Sequence, residues 1–242
     1  MWCLDFILHQ DLTASIDQGD TALYRAGMTT IAWCEVRDGD RLAITGSLED
    51  DTPAGRIAVF HNTQQRVESN PALIENTRRL AEQTKVFSPG FQSRRTPAKG
   101  PARVHFQEGL TLLAAARLKQ KHKRVCVLNF ANPVEPGGGV WRGANAQEEY
   151  LCRASNLYFS LTSPNAENYY SAHRNMLGTA IRGSFPASDA LIYSPDVTVF
   201  REDVNYEPDS PLSRPGQRYT DQWMTVDVIT CAAPYFPEES IP

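Results

Sequence analysis

Two adjacent carboxylates, Glu148 and Glu149, follow three successive glycines, Gly137, Gly138 and Gly139, in the stretch GGGVWRGANAQEE. A carboxyl pair suits proton transfer. Partial burial raises a carboxyl pKa and a like charge beside it raises it further, and a group that keeps its proton near neutral pH is a general acid. Successive glycines tolerate positive φ and carry no side chains, so backbone N–H groups are free to approach a phosphate or a ribose. Together the two features point to acid–base chemistry on a phosphate-bearing substrate. Each also has a purely structural reading: a turn after a strand for the triplet, and dipole stabilisation at a helix N-terminus for the glutamates. Leu151 lies three residues beyond Glu148, and Leu157 and Tyr158 continue an apolar stripe. That stripe turns at least one carboxylate inward, towards the glycine turn. Gln147 is placed to position a substrate hydroxyl or one of the carboxylates.

Asn129 and Asn132 sit just upstream and offer amide donors and acceptors to sugar hydroxyls across the same crevice, or else satisfy their own turn. The glycine turn does not fit a dinucleotide fingerprint. Val140, Trp141, Arg142 and Gly143 follow Gly139, so GxGxxG fails, and no Gly-Lys-Ser/Thr follows. A nicotinamide dehydrogenase and a kinase-type phosphate loop are therefore disfavoured. His9, His61, His105, His122 and His173 show no HExxH spacing and no cysteine partner. No metal and no cofactor are expected.

The elements that must position these groups follow from apolar patterning. Val125 to Phe130 reads as a buried-type strand, and the glycine turn and a helix from about Ala144 to Leu161 come next. Upstream, Ile31 to Val36 and Arg41 to Thr45 read as short strands, Gly46 to Gly55 as a polar loop, and Ile57 to Phe60 as a short apolar run. A helix with first-turn Pro71 spans about Asn70 to Gln83, and a loop runs from Ser88 to Pro101. From Glu108 to Lys121 the spacing of Leu112, Leu113, Ala116 and Leu118 is helical. Lys119, Lys121, His122 and Lys123 cluster at its C-terminal end, which reads as a capped, solvated helix end rather than an RNA-binding patch. Leu191 to Phe200 and Thr225 to Ala233 read as strands separated by a loop from Asp203 to Gln222. Strands alternating with helices predict an α/β fold with a parallel or mixed sheet, whose ligands sit beyond the carboxyl ends of strands.

The remaining bounds are broad. With 242 residues and a net charge of −4, the chain is long enough for a substantial core and has no general basic field for long nucleic acids. Sequence-specific nucleic-acid binding is not expected. The five cysteines are scattered without a CxxC pair, so a reduced, cytoplasmic setting is the default. No leader or membrane-spanning run is visible. Residues 1–55 read as an N-terminal extension and 56–242 as the main domain.

The segment NFANPVEPGGGVWRGANAQEEYLCRASNLYFSL resembles the signature of microbial-type poly(ADP-ribose) glycohydrolases, which are macrodomain-fold enzymes. Asn129 to Asn132 resemble the macrodomain NAAN turn, and the glycine triplet, seven-residue spacer and QEE match the family's central motif. Ile57 to Phe87 upstream, YSPDVTVFR from Tyr193 and ITCAAP from Ile229 resemble flanking family segments. The resemblance implies a macrodomain-like three-layer α/β/α sandwich with a mixed central sheet, and hydrolysis of the ribose–ribose bond of poly(ADP-ribose). Glu149 matches the catalytic glutamate and Glu148 the neighbour that holds ribose hydroxyls. Gly137, Gly138, Gly139 and Val140 fall at the backbone that meets the diphosphate or distal ribose, and Asn132 at the position that orients that ribose. Expected partners are ADP-ribose, its polymer and ADP-ribosylated proteins. In the family another strand and a second glycine-rich loop follow the AAP segment, whereas this sequence stops at Pro242, so the domain reads as C-terminally incomplete. An ADP-ribose-binding module without turnover and a mono-ADP-ribosyl hydrolase are the alternatives.

Overall fold

The structure, a computed structural model, describes residues 51–92, 109–179, 187–204 and 214–234. The chain divides into units 1–45 and 46–242, and everything described belongs to the second. The strands expected at 31–36 and 41–45 lie outside the described residues, as does the 88–101 loop beyond residue 92.

Helix α1, Pro53–Ser69, starts where Thr52 accepts the Gly55 N–H at 3.1 Å and Pro53 occupies the first turn. Residues 53–60 are thus helical, not the end of a loop and a short apolar run. Hydroxyl cap plus first-turn proline is a helix start, and Val59, Thr63 and Val67 are buried on one face at four-residue spacing. Asn70 ends α1 and caps α2, Pro71–Gln83, by accepting from the amides of Ala72 and Leu73. This second helix agrees with expectation.

Strand β1, Lys85–Phe87, is followed by α3, Thr111–Lys119, and β2, Cys126–Phe130. The expected single helix from Ala144 to Leu161 is two, α4 Gln147–Ala154 and α5 Leu157–Leu161. The break has a polar cause. Ser155 Oγ donates to the Leu151 carbonyl at 2.7 Å, and Asn156 accepts the Thr198 N–H at 2.8 Å while donating to Thr77 at 2.9 Å. Side chains that bond backbone in this way compete with the helix ladder. Helix α6, Glu167–Gly178, was not foreseen. Its His173 is fully buried, donating from Nδ1 to the Tyr169 carbonyl at 2.8 Å and accepting the Ser188 N–H at Nε2. It is a satisfied core histidine.

Strands β3, Leu191–Val204, and β4, Arg214–Cys231, are longer than expected, and much of the region 203–222 read as loop is strand. The sheet order is β1-β3-β4-β2, with β1/β3 and β3/β4 antiparallel and β2/β4 parallel. The fold is mixed α/β, as expected. Strand β2, however, is not buried on both faces. Among the described residues it is an edge strand, with Val127 and Asn129 inward and Leu128 and Phe130 40% and 57% exposed. The inward face joins a core of Phe60, Leu80, Leu151, Leu157, Ile192 and Val228, each worth roughly 1.5–3 kcal/mol on burial. Thr84, Ser160 and Ser194 form a buried hydroxyl chain with 2.7 Å links tying α2, α5 and β3 together.

Candidate active site

The site grows from the carboxyl end of β2. Parallel pairing sets Asn129 opposite Thr230 and turns its side chain to the face where α4 packs. Its Nδ2 donates to Glu148 Oε1 at 3.3 Å and to Thr230 Oγ1 at 3.2 Å. Asn129 is fully buried. Where a sugar contact was expected, its amide nitrogen here touches the Glu148 carboxylate.

Asn132 closes its own turn, accepting at Oδ1 from the amides of Val134 and Glu135 at 2.9 Å each. That leaves the amide NH2 of this half-buried residue as its remaining donor. Its backbone N–H donates to Glu148 Oε2 at 2.7 Å. Both oxygens of Glu148 are thus held from within.

Beyond the turn, Gly137 and Gly138 have φ of +72° and +57°, a conformation L residues adopt at a cost of about 1–2 kcal/mol. Gly138 is required for a second reason. A Cβ there would stand 2.4 Å from Glu149 Oε1 and 3.1 Å from Glu148 Oε2, so the bare backbone is the floor beneath the carboxyl pair. The amides of this turn are taken by protein acceptors: Gly138 N–H by the Glu135 carbonyl, Gly139 N–H by Glu149 Oε1 at 2.7 Å, and Val140 N–H by the Gly137 carbonyl. Only Gly139 is half-exposed, whereas Gly137, Gly138 and Val140 are buried.

The spacer is a short 3-10 turn, Val140–Arg142, that ends at Gly143 with φ +71°. A Cβ at Gly143 would meet the Pro53 carbonyl at 2.2 Å, and Arg56 Nε donates to the Gly143 carbonyl at 2.6 Å. Helix α1 therefore fixes the spacer. Residues not singled out from sequence hold it further. Arg153, fully buried on α4, donates to the Ala144 carbonyl at 2.7 Å and to Asn145 at 3.0 Å. Burial, with Arg56 adding to it, lowers Arg153 to about 10, so it remains a cation at neutral pH. Trp141 Nε1 donates to Tyr158 at 2.7 Å, and both rings pack edge-on against Phe60. The tryptophan inside the spacer was the one signal in the sequence for this support.

Both carboxylates face inward, with Glu148 2% and Glu149 6% exposed. Burial pushes Glu148 up to about 8, and the charge of Glu149 adds to the rise; the amide donors from Asn132, Asn129 and Gly137 oppose it and lose. A carboxyl proton is therefore held in the site at neutral pH. Glu149 Oε2 is buried and has no hydrogen-bond partner among the described residues.

Gln147 does not reach either carboxylate. Its Oε1 accepts the Phe130 N–H at 2.9 Å and its Nε2 donates to the Leu128 carbonyl at 2.6 Å and to Thr111 at 3.3 Å. One side-chain amide thus stands in for a neighbouring strand along the edge of β2 that has no strand partner among the described residues.

A family model described as "Microbial-type PARG, catalytic domain" matches residues 57–202. The chain belongs to the microbial-type poly(ADP-ribose) glycohydrolase family. The crystal structure of poly(ADP-ribose) glycohydrolase from Thermomonospora curvata is similar to it at 29% identity with a TM-score of 0.58, covering 74% of this chain and 64% of that one. The same enzyme bound to the inhibitor ADP-HPD gives 29% identity and a TM-score of 0.56 over 74% and 63%. The Deinococcus radiodurans glycohydrolase in complex with ADP-ribose gives 34% identity and a TM-score of 0.50 over 65% and 57%. The chain thus spans somewhat less than two thirds of these relatives' length, and its fold is macrodomain-like. No curated protein matches the chain. No described helix is long and apolar enough to cross a membrane.

Proposed function

We propose that this chain hydrolyses the ribose–ribose O-glycosidic bond of poly(ADP-ribose), with Glu149 as general acid and then general base. The observation that carries this reading is the unequal holding of the two carboxyls. Glu148 is bound at both oxygens, whereas Glu149 is anchored at Oε1 by the Gly139 amide and keeps a buried Oε2 that has no partner among the described residues. An unsatisfied buried oxygen is costly to maintain, and a glycosidic oxygen is the partner it suits.

In the reaction, the proton that the Glu148–Glu149 pair retains is delivered through Glu149 to the leaving ribose oxygen as the anomeric C–O bond breaks and the leaving oxygen takes the electron pair. Water then adds to the oxocarbenium-like carbon and returns a proton to Glu149, so one water is consumed and the carboxyl is restored. Glu148 acts on the turn, holding the Asn132 backbone so that the Asn132 amide meets the distal ribose. Asn129 acts through Glu148. Gly139 carries the half-exposed backbone that meets the ligand, and Gly137, Gly138 and Val140 form the packed layer beneath. The reaction needs no cofactor. The substrates are ADP-ribose polymer and, through it, ADP-ribosylated proteins. Cys126, Cys152 and Cys231, all free thiols, support a cytoplasmic setting.

Incubation of the chain with purified poly(ADP-ribose), with free ADP-ribose followed over time, tests the reading. Steady release supports it. Binding of ADP-ribose without release makes the chain a binding module, and neither binding nor release rejects the substrate class.

A further inference from the structure

The basic run behind α3 takes no part in the site described above. Residues 117–124, RLKQKHKR, hold five of the 24 lysines and arginines and no acidic residue, leaving 19 cations against 28 acids elsewhere. Positive charge is thus concentrated in this run on a molecule of net charge −4, with Asp196 and Asp227 beside its C-terminal end. A capped helix end explains part of the run. Lys119 Nζ donates to the Lys123 carbonyl at 2.7 Å, which closes the end of α3, and Arg124 is tied to Asp227 at 2.6 Å. Arg117, Lys121 and Lys123 are not explained in this way. Their side chains are exposed and form no ion pair among the described residues. They stand ahead of the first residue of β2, at the end of the strand opposite to Asn132 and the glycine turn.

We infer that this run is a second binding surface for the polymer, taking the diphosphates of ADP-ribose units remote from the bond being cleaved. The inference rests on the proposed function. The partner follows from charge and from the proposed substrate: three exposed cations without an ion pair among the described residues, Arg117, Lys121 and Lys123, suit a flexible polyanion with phosphates at every repeat. With screening over about 8–10 Å at physiological salt, the patch acts by contact, so a monomer held at Glu149 on the far side of β2 does not draw on it. A chain long enough to pass the sheet does.

The test compares two full-length proteins, both carrying Glu149→Gln to prevent turnover during binding. One also carries Arg117→Ala, Lys121→Ala and Lys123→Ala. Affinity for ADP-ribose monomer and for long polymer is measured from about 50 to 200 mM salt. The surface predicts equal monomer affinity for the two proteins, weaker polymer binding by the triple variant, and a log–log salt slope for polymer smaller by about 2. Over that range this amounts to roughly a 20-fold greater salt loss for the protein with the run intact. Equal polymer affinity and equal slope would overturn the inference. So would single-stranded RNA of matched phosphate number competing as well as polymer for the run, which would make it a general polyanion surface. Failure of the proposed function shows separately: the chain with Glu149 intact then releases no ADP-ribose from polymer, whatever the triple variant does to polymer affinity.

Discussion

The side-chain amide of Gln147 is hydrogen-bonded to Phe130 as a neighbouring strand would be, accepting its N–H at 2.9 Å while donating to the Leu128 carbonyl two residues earlier at 2.6 Å. Gln147 is the first residue of α4, so this pair of bonds sets the height of Glu148 and Glu149 relative to the end of β2. Gln147→Ala removes these two bonds and the one to Thr111, each worth about 0.5–1.5 kcal/mol. The fold is expected to survive with a lower melting temperature, faster hydrogen exchange at the Phe130 amide, and a kcat that falls more than KM changes. Gln147→Glu is expected to be no better, because a carboxylate oxygen would face the Leu128 carbonyl. An unchanged Phe130 exchange rate in Gln147→Ala would remove this role.

Gly138→Ala places a methyl group 2.4 Å from Glu149 Oε1 on a backbone at φ +57°. The conformational cost is about 1–2 kcal/mol, and the carboxylate must move as well. Denaturant unfolding should show at least that loss, with hydrolysis reduced further than stability. Full activity in a folded Gly138→Ala protein would show that the carboxyl geometry is not critical.

Burial raises Glu148 from 4.5 to about 8. A group with a raised folded-state pKa binds its proton more tightly folded than unfolded. Its contribution to stability is therefore complete below about pH 4.5 and is lost as pH rises through about 8. Within that window the slope approaches about 1.4 kcal/mol per pH unit. Unfolding free energies measured from pH 5 to 8 should fall for the wild type and flatten in Glu148→Gln. Parallel curves would place the proton elsewhere.

Much of this arrangement was legible in the sequence because it is local. The strand, glycine turn and QEE-bearing helix are contiguous, and the apolar stripe from Leu151 implies at least one inward carboxylate where the structure buries both. What stays hidden is what long-range pairing decides. Nothing near Gln147 in sequence says that its amide bonds the backbone of β2, and nothing near Asn129 says that its register opposite Thr230 buries it. Thr52 and Pro53 did carry a helix-start signal, but the surrounding Gly and Pro favoured a loop. The Ser155–Asn156 break was likewise visible as two residues prone to bond backbone.

The most direct measurement is release of ADP-ribose from poly(ADP-ribose) by the wild-type chain and by Glu149→Gln, with ADP-ribose affinity and melting temperature recorded for both. The account predicts release by the wild type and at least a hundredfold slower release by the variant, in line with about 10²–10⁴ for a general acid–base group. Folding and ligand affinity should be close to unchanged. Comparable release by a folded Glu149→Gln protein would contradict the assignment of Glu149 as the catalytic group.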